Sequence, residues 1–201
     1  RSLGYTYVDT GAMYRGVTLY ALREGLFSGE EPMVEEIIRR LPQIETRFAI
    51  VPDGQHLLLN GEDVEREIRG MEVSEHVSPI ATIPEVRAAL TRQQQDMAKE
   101  KGVVMDGRDV GTTILPDAEL KIFVTARPEV RARRRFDELT AEGESVTYDS
   151  VLANVRERDR IDSGRAVSPL RQAEDALVLD NSDMTLDQQQ AWVEERVRER
   201  L

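Results

Sequence analysis

One stretch, VVMDGRDVGT at residues 103–112, decides the fold of this 201-residue chain. A short β-branched run ends there in a charged turn punctuated by glycine. In open α/β sheets, ligands bind beyond the carboxyl ends of the strands, where the backbone holds polar groups in place. Arg108 at such a position suits a phosphate, and Asp109 suits the exocyclic amine of a base. The alternative is a structural turn in which the two charges pair with each other, although charges at the end of a central strand are costly unless something binds there.

Strand-like and helix-like patterns alternate on both sides of this stretch. Apolar residues at helical spacing, such as Met13, Val17 and Tyr20, predict helices, and short β-branched or aromatic runs predict strands. Strands separated by helices indicate an α/β fold with a parallel core sheet covered by helices. The predicted strands lie at 5–8, 103–105, 120–124 and 176–179, and the predicted helices follow Gly11, cover 32–41, begin at Pro84, cover 128–139 and 149–161, and begin again near Thr185.

Two helix starts have the spacing of a capping box, in which a Ser or Thr and a Glu or Gln three residues later bind each other's backbone N–H groups. They are Thr82 with Glu85 and Thr185 with Gln188. We therefore expect both threonines to cap helices.

An antiparallel excursion interrupts the alternation of strands and helices. Residues 48–51 and 56–59 have strand composition and are joined through Asp53-Gly54, a dipeptide that tolerates the positive φ angles of tight turns. Asn60-Gly61 offers a second turn of the same kind. The charged segment 62–69 is expected to lie on the surface.

The composition limits the classes of function. Lys and Arg number 27 against 38 Asp and Glu, a formal net charge of −11, whereas nucleic-acid scaffolds normally need a net basic surface. Arginines nevertheless crowd residues 127–165, which fits a small anionic ligand better than a polymer. With no cysteine and only two histidines, disulfides and thiolate metal sites are excluded and a histidine metal centre is not expected.

No stretch approaches the roughly 18 apolar residues of a membrane helix, and there is no signal-peptide pattern. We expect a soluble cytoplasmic protein that binds neither nucleic acid nor a membrane and holds no metal of its own.

Two further groups of residues suit an anionic ligand, and each has a structural alternative. Thr10 and Arg15 lie at the first strand-to-helix junction, where Thr10 could simply cap the helix and Arg15 could be solvated. Arg158, Asp162 and Arg165 share one helical face for as long as the helix continues, and two cations flanking a carboxylate there could hold a phosphate and a ribose hydroxyl. The alternative for this second group is a solvated face, because alternating charges on a helix usually form ion pairs in water.

A cluster of arginines lies in the helix predicted at 128–139, after the strand at 120–124. Four of them lie within five residues, and their mutual repulsion would be relieved by a polyphosphate. A solvated helix face is again the alternative. The four are Arg131, Arg133, Arg134 and Arg135.

Taken together, these motifs resemble those of the bacterial cytidylate kinases, which are P-loop nucleoside monophosphate kinases. The matching runs occur in the family's order and extend from about Leu3 to the end of the chain. Any one run alone is weakly specific, whereas their order and spacing together are strongly specific. The runs are DTGAMYR at 9–15, GEDV at 61–64, DGRDVGT at 106–112, IF at 122–123, RERD at 156–159 and RAVSPL at 165–170.

The resemblance implies a P-loop kinase-like architecture in three parts. The core domain would comprise residues 1–26 and 87–201, with a helical lid at about 134–157 inside it. A small antiparallel β insert, residues 27–86, would bind the monophosphate.

The resemblance also implies roles for individual residues. Thr10, Ser78, Arg87 and Asp109 match positions that read cytosine or its sugar, and Arg15, Arg108 and Arg165 match positions that grip the monophosphate. Arg158 and Asp162 match positions facing the pentose and phosphates, and Arg134 and Arg135 match lid arginines. The residues expected to act in catalysis are Arg108, Arg158, Arg134 and Arg135.

The chemistry of cytosine agrees with these roles. The base offers an amine donor together with ring nitrogen and carbonyl acceptors, so a carboxylate, an arginine and a hydroxyl complement it. Without such a ligand, Ser78 would be a loop serine before Pro79, and Arg87 would be an arginine on the polar face of a helix. We expect the guanidinium groups of Arg15, Arg108 and Arg165 to converge on one pocket for a pyrimidine mononucleotide.

One motif of the family does not occur in this sequence. The glycine-rich loop G-x-x-x-x-G-K-[ST] would lie about 20 residues before Asp9, and no such string is present. In the family this loop supplies the backbone amides, the lysine and the Mg²⁺-binding hydroxyl that hold the donor phosphates. Because residues 1–4 also resemble the end of a helix, we expect a segment upstream of Arg1 to be missing and the polypeptide as written to be inactive. The alternative is a degenerate, non-catalytic relative.

The function implied by the resemblance is Mg²⁺-dependent transfer of the γ-phosphoryl group of ATP to CMP or dCMP, giving CDP or dCDP. Two alternatives stay open: a P-loop kinase for another small acceptor, such as UMP or shikimate, and a nucleotide-binding module without catalysis. The likeness further implies a monomer whose partners are the small molecules CMP, dCMP and ATP.

Overall fold

A computed structural model describes residues 4–52, 54–99 and 101–200 and confirms the predicted α/β architecture. The chain divides into two compact units, Arg1–Arg108 with Arg165–Val167, and Asp109–Gly164 with Ser168–Leu201. In chain order the strands are β1 (Thr6–Asp9), β2 (Phe27–Ser28), β3 (Glu31–Pro32), β4 (Thr46–Val51), β5 (Gly54–Leu59), β6 (Glu62–Asp63), β7 (Val103–Asp106), β8 (Ile122–Thr125) and β9 (Leu177–Asp180). The α-helices are α1 (Thr10–Arg23), α2 (Val34–Arg40), α3 (Met71–Ile80), α4 (Pro84–Ala98), α5 (Pro128–Ala141), α6 (Tyr148–Gly164) and α7 (Leu186–Arg198).

The first unit is built on a parallel pair of strands, β1 and β7. Their register aligns Asp9 with Asp106, so both strands end in a carboxylate at the same edge. β1 runs directly into α1, and the Asp9 side chain caps that helix by accepting a hydrogen bond from the Ala12 N–H at 2.9 Å. The alternative in which Thr10 is the cap is therefore wrong. A carboxylate suits the capping position because it accepts an otherwise unpaired N–H and faces the positive end of the helix dipole.

Helix α1 runs through the core of the first unit. The predicted apolar stripe is confirmed, with Met13 and Val17 almost completely buried and Tyr20 partly buried. Gly16 allows the antiparallel strands to approach closely, because a Cβ atom at this position would lie 2.8 Å from Cδ2 of Leu57. The same helix also packs against α3.

The predicted hairpin is confirmed. β4 and β5 are antiparallel, and their register runs from Thr46 opposite Leu59 to Val51 opposite Gly54. The turn residue Asp53 lies outside the described residues. The second predicted turn is also present, since Asn60 and Gly61 have φ angles of 50° and 86° and lead from β5 into β6.

The segment 62–69 does not lie wholly on the surface, so that prediction is wrong. Val64 and Ile68 are almost completely buried, and the side chain of Arg69 is only 32% exposed. The two apolar residues are one helical turn apart, and Ile68 lies in a single 3₁₀ turn, Glu67–Arg69, that turns it inward. Most residues of the segment are charged, and the surface prediction therefore overlooked these two apolar residues.

The helix starts divide into one confirmed and one wrong prediction. Thr185 forms a complete capping box with Gln188 at the start of α7. The box predicted for Thr82 does not form, because Ile83 is the N-cap of α4 and the Thr82 hydroxyl donates instead to the Pro79 carbonyl at 2.7 Å. Pro84 occupies the first turn of α4, where its fixed φ already favours the helix.

Helix α3 was not predicted, and it changes the setting of Ser78. This serine is buried in the helix and does not lie in a loop, although Pro79 follows it within the same last turn. Val73, Val77 and Ile80 are buried at helical spacing. This apolar spacing could have predicted the helix, whereas Pro79 suggested a loop.

The second unit holds another parallel pair, β8 and β9, with a register that runs from Ile122 opposite Leu177 to Thr125 opposite Asp180. The chain enters this unit through a π-helical turn, Val110–Ile114. Helices α5 and α6 pack on each other. The predicted lid, 134–157, covers the end of α5 and the start of α6. Its movement, like the predicted division into core and insert, stays a prediction.

Candidate functional site

The carboxyl ends of β1 and β7 form a tightly bonded edge. The Tyr7 hydroxyl donates to Oδ1 of Asp106 at 3.0 Å, and the Thr10 hydroxyl donates to the carbonyl oxygen of Asp106 at 2.7 Å. Asp9 meanwhile caps α1. The two strand ends and the first turn of the helix are thus held together immediately before Gly107 and Arg108.

A cation lies against this edge. Nη2 of Arg69 is 2.8 Å from Oδ2 of Asp9 and 2.6 Å from Oε1 of Glu65. The other carboxylate oxygen of Glu65 accepts the backbone N–H of Leu57 at 3.0 Å. Burial alone would lower the pKa of Arg69, but the carboxylates of Asp9 and Glu65 raise it. Arg69 therefore stays charged and links the hairpin to the N-terminus of α1.

Two groups at this edge, Asp106 and Tyr7, have raised pKa values. The surrounding protein, which partly removes water, and the Asp9 carboxylate raise the pKa of Asp106, against the opposing effects of the Tyr7 hydrogen bond and of Arg108 and Arg69. Desolvation and the carboxylates of Asp106 and Asp9 likewise raise the pKa of Tyr7, so its hydroxyl remains a donor at neutral pH. The edge is accordingly rich in negative charge that two arginines offset.

Three of the predicted substrate-binding residues lie on or beside α1. Thr10 joins α1 to Asp106, and Arg15 follows one turn later, half-buried. Arg87 is almost completely buried on α4, where its guanidinium lies 5.4 Å from the centre of the Tyr14 ring and donates to the Ala81 carbonyl at 3.1 Å. The alternative in which Arg87 is an arginine on the polar face of a helix is wrong, because the side chain lies inside, against the Tyr14 ring and the Ala81 carbonyl.

The two charged residues that follow Gly107 differ in their exposure to solvent. Arg108 is exposed, whereas the side chain of Asp109 is buried. The Asp109 carbonyl accepts the backbone N–H of Ile114 at 3.3 Å, the five-residue bond with which the π-helical turn begins. Arg165 is half-buried and belongs to the same unit as Arg15 and Arg108. That these three guanidinium groups meet in one pocket remains a prediction.

In the second unit, the arginine cluster of α5 makes separate contacts with protein groups. Arg134 donates to the side-chain oxygen of Asn181 at 2.9 Å and to its carbonyl at 2.7 Å. Arg133 lies over the Tyr148 ring, with its guanidinium carbon 4.4 Å from the ring centre. Their mutual repulsion is therefore offset within the protein, without a polyphosphate. The other two members are also paired, Arg131 with Asp159 and Arg135 with Glu138.

Helix α6 presents two different faces. Arg160 pairs with Glu157 in solvent, as the structural alternative of a solvated face predicts. Arg158 and Asp162 are turned inward, since Asp162 is buried and Nε of Arg158 is inaccessible to solvent. This pair thus lies on the face of the helix that is removed from water. Arg165 does not share that face as predicted, because α6 ends at Gly164.

Two negative findings concern only part of the chain. Within residues 4–52, 54–99 and 101–200, no group of three or more histidine or acidic side chains is placed to hold a metal ion. In the same ranges, no helix combines the length and the apolar character that a bilayer span requires.

Sequence reasoning missed part of the site. Tyr7, Arg69 and Asp106 were not singled out as site residues, although Asp106 stood in the quoted motif. The signal for Asp106 was available, because Asp9 and Asp106 each directly follow a predicted strand and parallel strands end at one edge. No local signal could have paired Arg69 with Asp9, since they are distant in sequence and meet only in the fold.

Parallel strand pairs flanked by helices, an antiparallel excursion and arginines that follow the strand ends are features of an α/β nucleotide kinase with a P-loop kinase-like fold. The profile of the family described as cytidylate kinase matches residues 1–199. The chain therefore belongs to the cytidylate kinase family.

Individual relatives agree with this assignment. A cytidylate kinase of Porphyromonas gingivalis is 58% identical over 99% of this chain and 87% of the relative, and one of Parabacteroides distasonis is 57% identical over 98% and 86%. A cytidylate kinase of Flavobacterium johnsoniae is 48% identical over 99% of this chain and 87% of its own length. The resemblance inferred from scattered motifs thus extends over nearly the whole sequence.

Proposed function

We propose that the protein transfers the γ-phosphoryl group of ATP to CMP or dCMP and releases CDP or dCDP. The observation that carries the proposal is the 48–58% identity, over nearly the whole chain, to relatives named cytidylate kinase. The charged, rigidly bonded edge at the end of β1 and β7 supports it, because ligands of α/β proteins bind beyond such edges.

Transfer of a phosphoryl group demands little covalent chemistry from the protein. Two polyanions must be brought together, water excluded and the charge on the migrating group stabilised. We assign Arg15, Arg108 and Arg165 to the acceptor monophosphate, whose charge they neutralise. No general base is required, since the acceptor phosphate is already an anionic nucleophile.

Recognition of the base is assigned to Thr10, Ser78, Arg87 and Asp109. All four side chains are buried. Buried polar groups discriminate strongly between ligands, because an analogue without the complementary groups leaves them unpaired. A carboxylate for the cytosine amine and donors for its ring nitrogen and carbonyl would distinguish CMP from UMP.

We assign Arg134, Arg135 and Arg158 to close over the phosphates, with the lid at about 134–157, and Arg158 with Asp162 to face the pentose and phosphates. Two of the five N–H donors of Arg134 already bind Asn181, one from Nη1 and one from Nη2. Mg²⁺ would enter with ATP as part of the substrate and would supply charge neutralisation at the transferring phosphates. We further propose a cytoplasmic monomer that binds neither nucleic acid nor a membrane, in keeping with its acidic composition and small substrates.

Arg108 provides the direct test. In the full-length protein, Arg108→Ala should reduce kcat/KM for CMP by a factor of about 100 or more, because a charged hydrogen bond to the transferring assembly is lost. A coupled assay of ADP formation measures this. Arg160→Ala is the matched control, since Arg160 pairs with Glu157 in solvent and should leave turnover unchanged. Normal CMP turnover in the Arg108 variant would contradict the assignment.

A panel of acceptors tests the proposed specificity. With CMP, dCMP, UMP and shikimate in the same assay, we expect the two cytosine nucleotides to be preferred. Preference for UMP over CMP would refute the role given to Asp109. Calorimetric binding of CMP without any ATP consumption would instead identify a non-catalytic nucleotide-binding protein.

A further inference from the structure

We propose that Arg69 is a positioning residue for the acceptor nucleotide and that it acts through Asp9. This inference rests on the proposed function, because it concerns how the strand edge admits the monophosphate of CMP. Arg69 contributes the cation that makes an edge ending in two carboxylates compatible with an anionic substrate.

The two strand ends bring two carboxylates close together. Asp9 and Asp106 are register partners on adjacent parallel strands, so their Cα atoms are separated by about 5 Å. An approaching monophosphate would meet both negative charges, and repulsion between charges rises steeply where water is partly excluded. Arg69 touches one of the two carboxylates directly, with its Nη2 atom 2.8 Å from Oδ2 of Asp9.

Both carboxylate oxygens of Asp9 have partners. One carboxylate oxygen of Asp9 caps α1 through the Ala12 N–H, and the other is bound by Arg69. The first two turns of α1 carry Thr10 and Arg15, both assigned to the substrate. By fixing the second oxygen of the capping carboxylate, Arg69 fixes the direction in which these side chains are presented.

A third contact makes Arg69 more than a surface ion pair. Its Nε and Nη2 atoms both donate to Oε1 of Glu65, at 2.9 and 2.6 Å, and Oε2 of Glu65 accepts the backbone N–H of Leu57 in β5. The strand edge, the 3₁₀ turn and the hairpin therefore meet at one guanidinium. The predicted insert, 27–86, is thereby connected to the start of α1.

A second arginine on the same unit, Arg23, makes similar ion pairs away from the strand edge. Arg23, the last residue of α1, binds Glu62 and Glu67 at 2.8–3.0 Å. It connects α1 to the same charged segment as Arg69, and its side chain is similarly exposed, 36% against 32%. By helix geometry it lies about 20 Å from Asp9. Arg23 thus reproduces the structural ion pairing of Arg69 without the strand edge.

The experiment compares Arg69→Met with Arg23→Met in the full-length protein. For Arg69→Met we expect the KM and the calorimetric Kd for CMP to rise about tenfold or more, the range for loss of a charged hydrogen bond. The KM for ATP and kcat should change by less than about threefold, since the donor side is untouched. Arg23→Met should leave all four quantities near their wild-type values. Arg69→Lys, which restores the charge, should recover most of the CMP affinity.

The outcomes separate the inference from the function on which it rests. A wild-type protein that does not phosphorylate CMP would refute the proposed function. A wild-type protein that does so, with CMP parameters of Arg69→Met equal to those of Arg23→Met, would refute the role of Arg69. If circular dichroism shows Arg69→Met to be unfolded, Arg69→Gln replaces it with the same expectations, because the shorter uncharged amide takes the place of Nε beside Glu65 and does not extend to Asp9. An equal rise in the KM for CMP and for ATP would indicate general structural damage and would also overturn the proposal.

Discussion

Two carboxylates with opposite electrostatic environments illustrate how single residues respond to their position. Asp106 ends β7 beside Asp9, where desolvation and like charge raise its pKa. Asp180 ends β9, where hydrogen bonds from the Ser182 hydroxyl and backbone lower its pKa. Both residues end parallel strands, yet one strand end disfavours the ionised carboxylate and the other stabilises it.

These shifts predict pH dependences of opposite sign. Asp106 binds its proton more tightly when folded, so its contribution to stability is present below the ordinary pKa of 3.8 and is lost as the pH rises through the raised value. Asp106→Asn should therefore increase the free energy of unfolding at pH 7, and the gain should shrink towards pH 3. Urea unfolding at a series of pH values measures this. Asp180→Asn is the control and should be destabilising at pH 7, with the loss vanishing in acid. A stability loss at pH 7 for Asp106→Asn would contradict the argument.

At the scale of elements, α1 shows how a helix can serve the core and the site together. Its length lies along the hairpin and α3, while its N-terminus is held by Asp9 at the strand edge. The close approach to the hairpin depends on Gly16. A change in the packing of α1 should consequently also move the site residues that this helix carries.

Gly16 supplies a test of that packing. In Gly16→Ala the new methyl would lie 2.8 Å from Cδ2 of Leu57 and 3.2 Å from Cγ2 of Thr46, both on buried side chains. Overpacking by about 1–3 kcal/mol should outweigh the helix-propensity gain of about 1 kcal/mol, giving a net loss near 1 kcal/mol. Chemical denaturation measures it. Gly164→Ala in α6, where nothing lies within 4 Å of the new atom, should cause no loss. Equal effects of the two substitutions would argue against a packing constraint on α1.

Helices α5 and α6 offer a second test at this scale. Arg131 and Asp159 form a two-bond ion pair at 2.8 and 2.6 Å between them, with about a third of each side chain exposed. A double-mutant cycle with Arg131→Met and Asp159→Asn should give a coupling free energy of about 0.5–1 kcal/mol, discounted for solvent screening. The more exposed pair of Arg156 and Glu129 joins the same helices and should give less. The reverse order would show that exposure does not govern these pairs.

At the scale of the whole molecule, the chain combines a strongly negative net charge with arginines concentrated near the predicted site. A net charge of −11 does not favour a polyanionic ligand at long range. Affinity for a nucleotide must then come from local contacts, which bind only the folded state. Binding and stability should accordingly be linked.

This linkage predicts thermal stabilisation by CMP. At a concentration about 100 times its Kd, CMP should add about 2.7 kcal/mol to the free energy of unfolding. For a chain of this length that corresponds to about 5–10 °C in Tm. Differential scanning fluorimetry measures the shift, with UMP expected to give a smaller one and Arg108→Ala to remove most of it. A Tm that is unchanged by CMP would contradict the existence of the site.

Much of the architecture could be predicted from local patterns, because the interactions behind those patterns join residues that are close in sequence. The alternating strands and helices, the β4–β5 hairpin and the capping box at Thr185 each depend on residues only a few positions apart. The family was also evident, because motifs such as DGRDVGT recur in a specific order. Local spacing is sufficient wherever the interacting groups are neighbours along the chain.

Features that depend on distant partners were decided by the tertiary structure. Asp9 displaced Thr10 as the cap of α1, helix α3 formed despite Pro79, and Arg87 was buried against Tyr14. The ion pair of Arg69 with Asp9 joins residues that no sequence spacing relates. Such contacts form because folding removes charges and rings from water and so requires partners for them, and only the assembled fold determines which partners lie within reach.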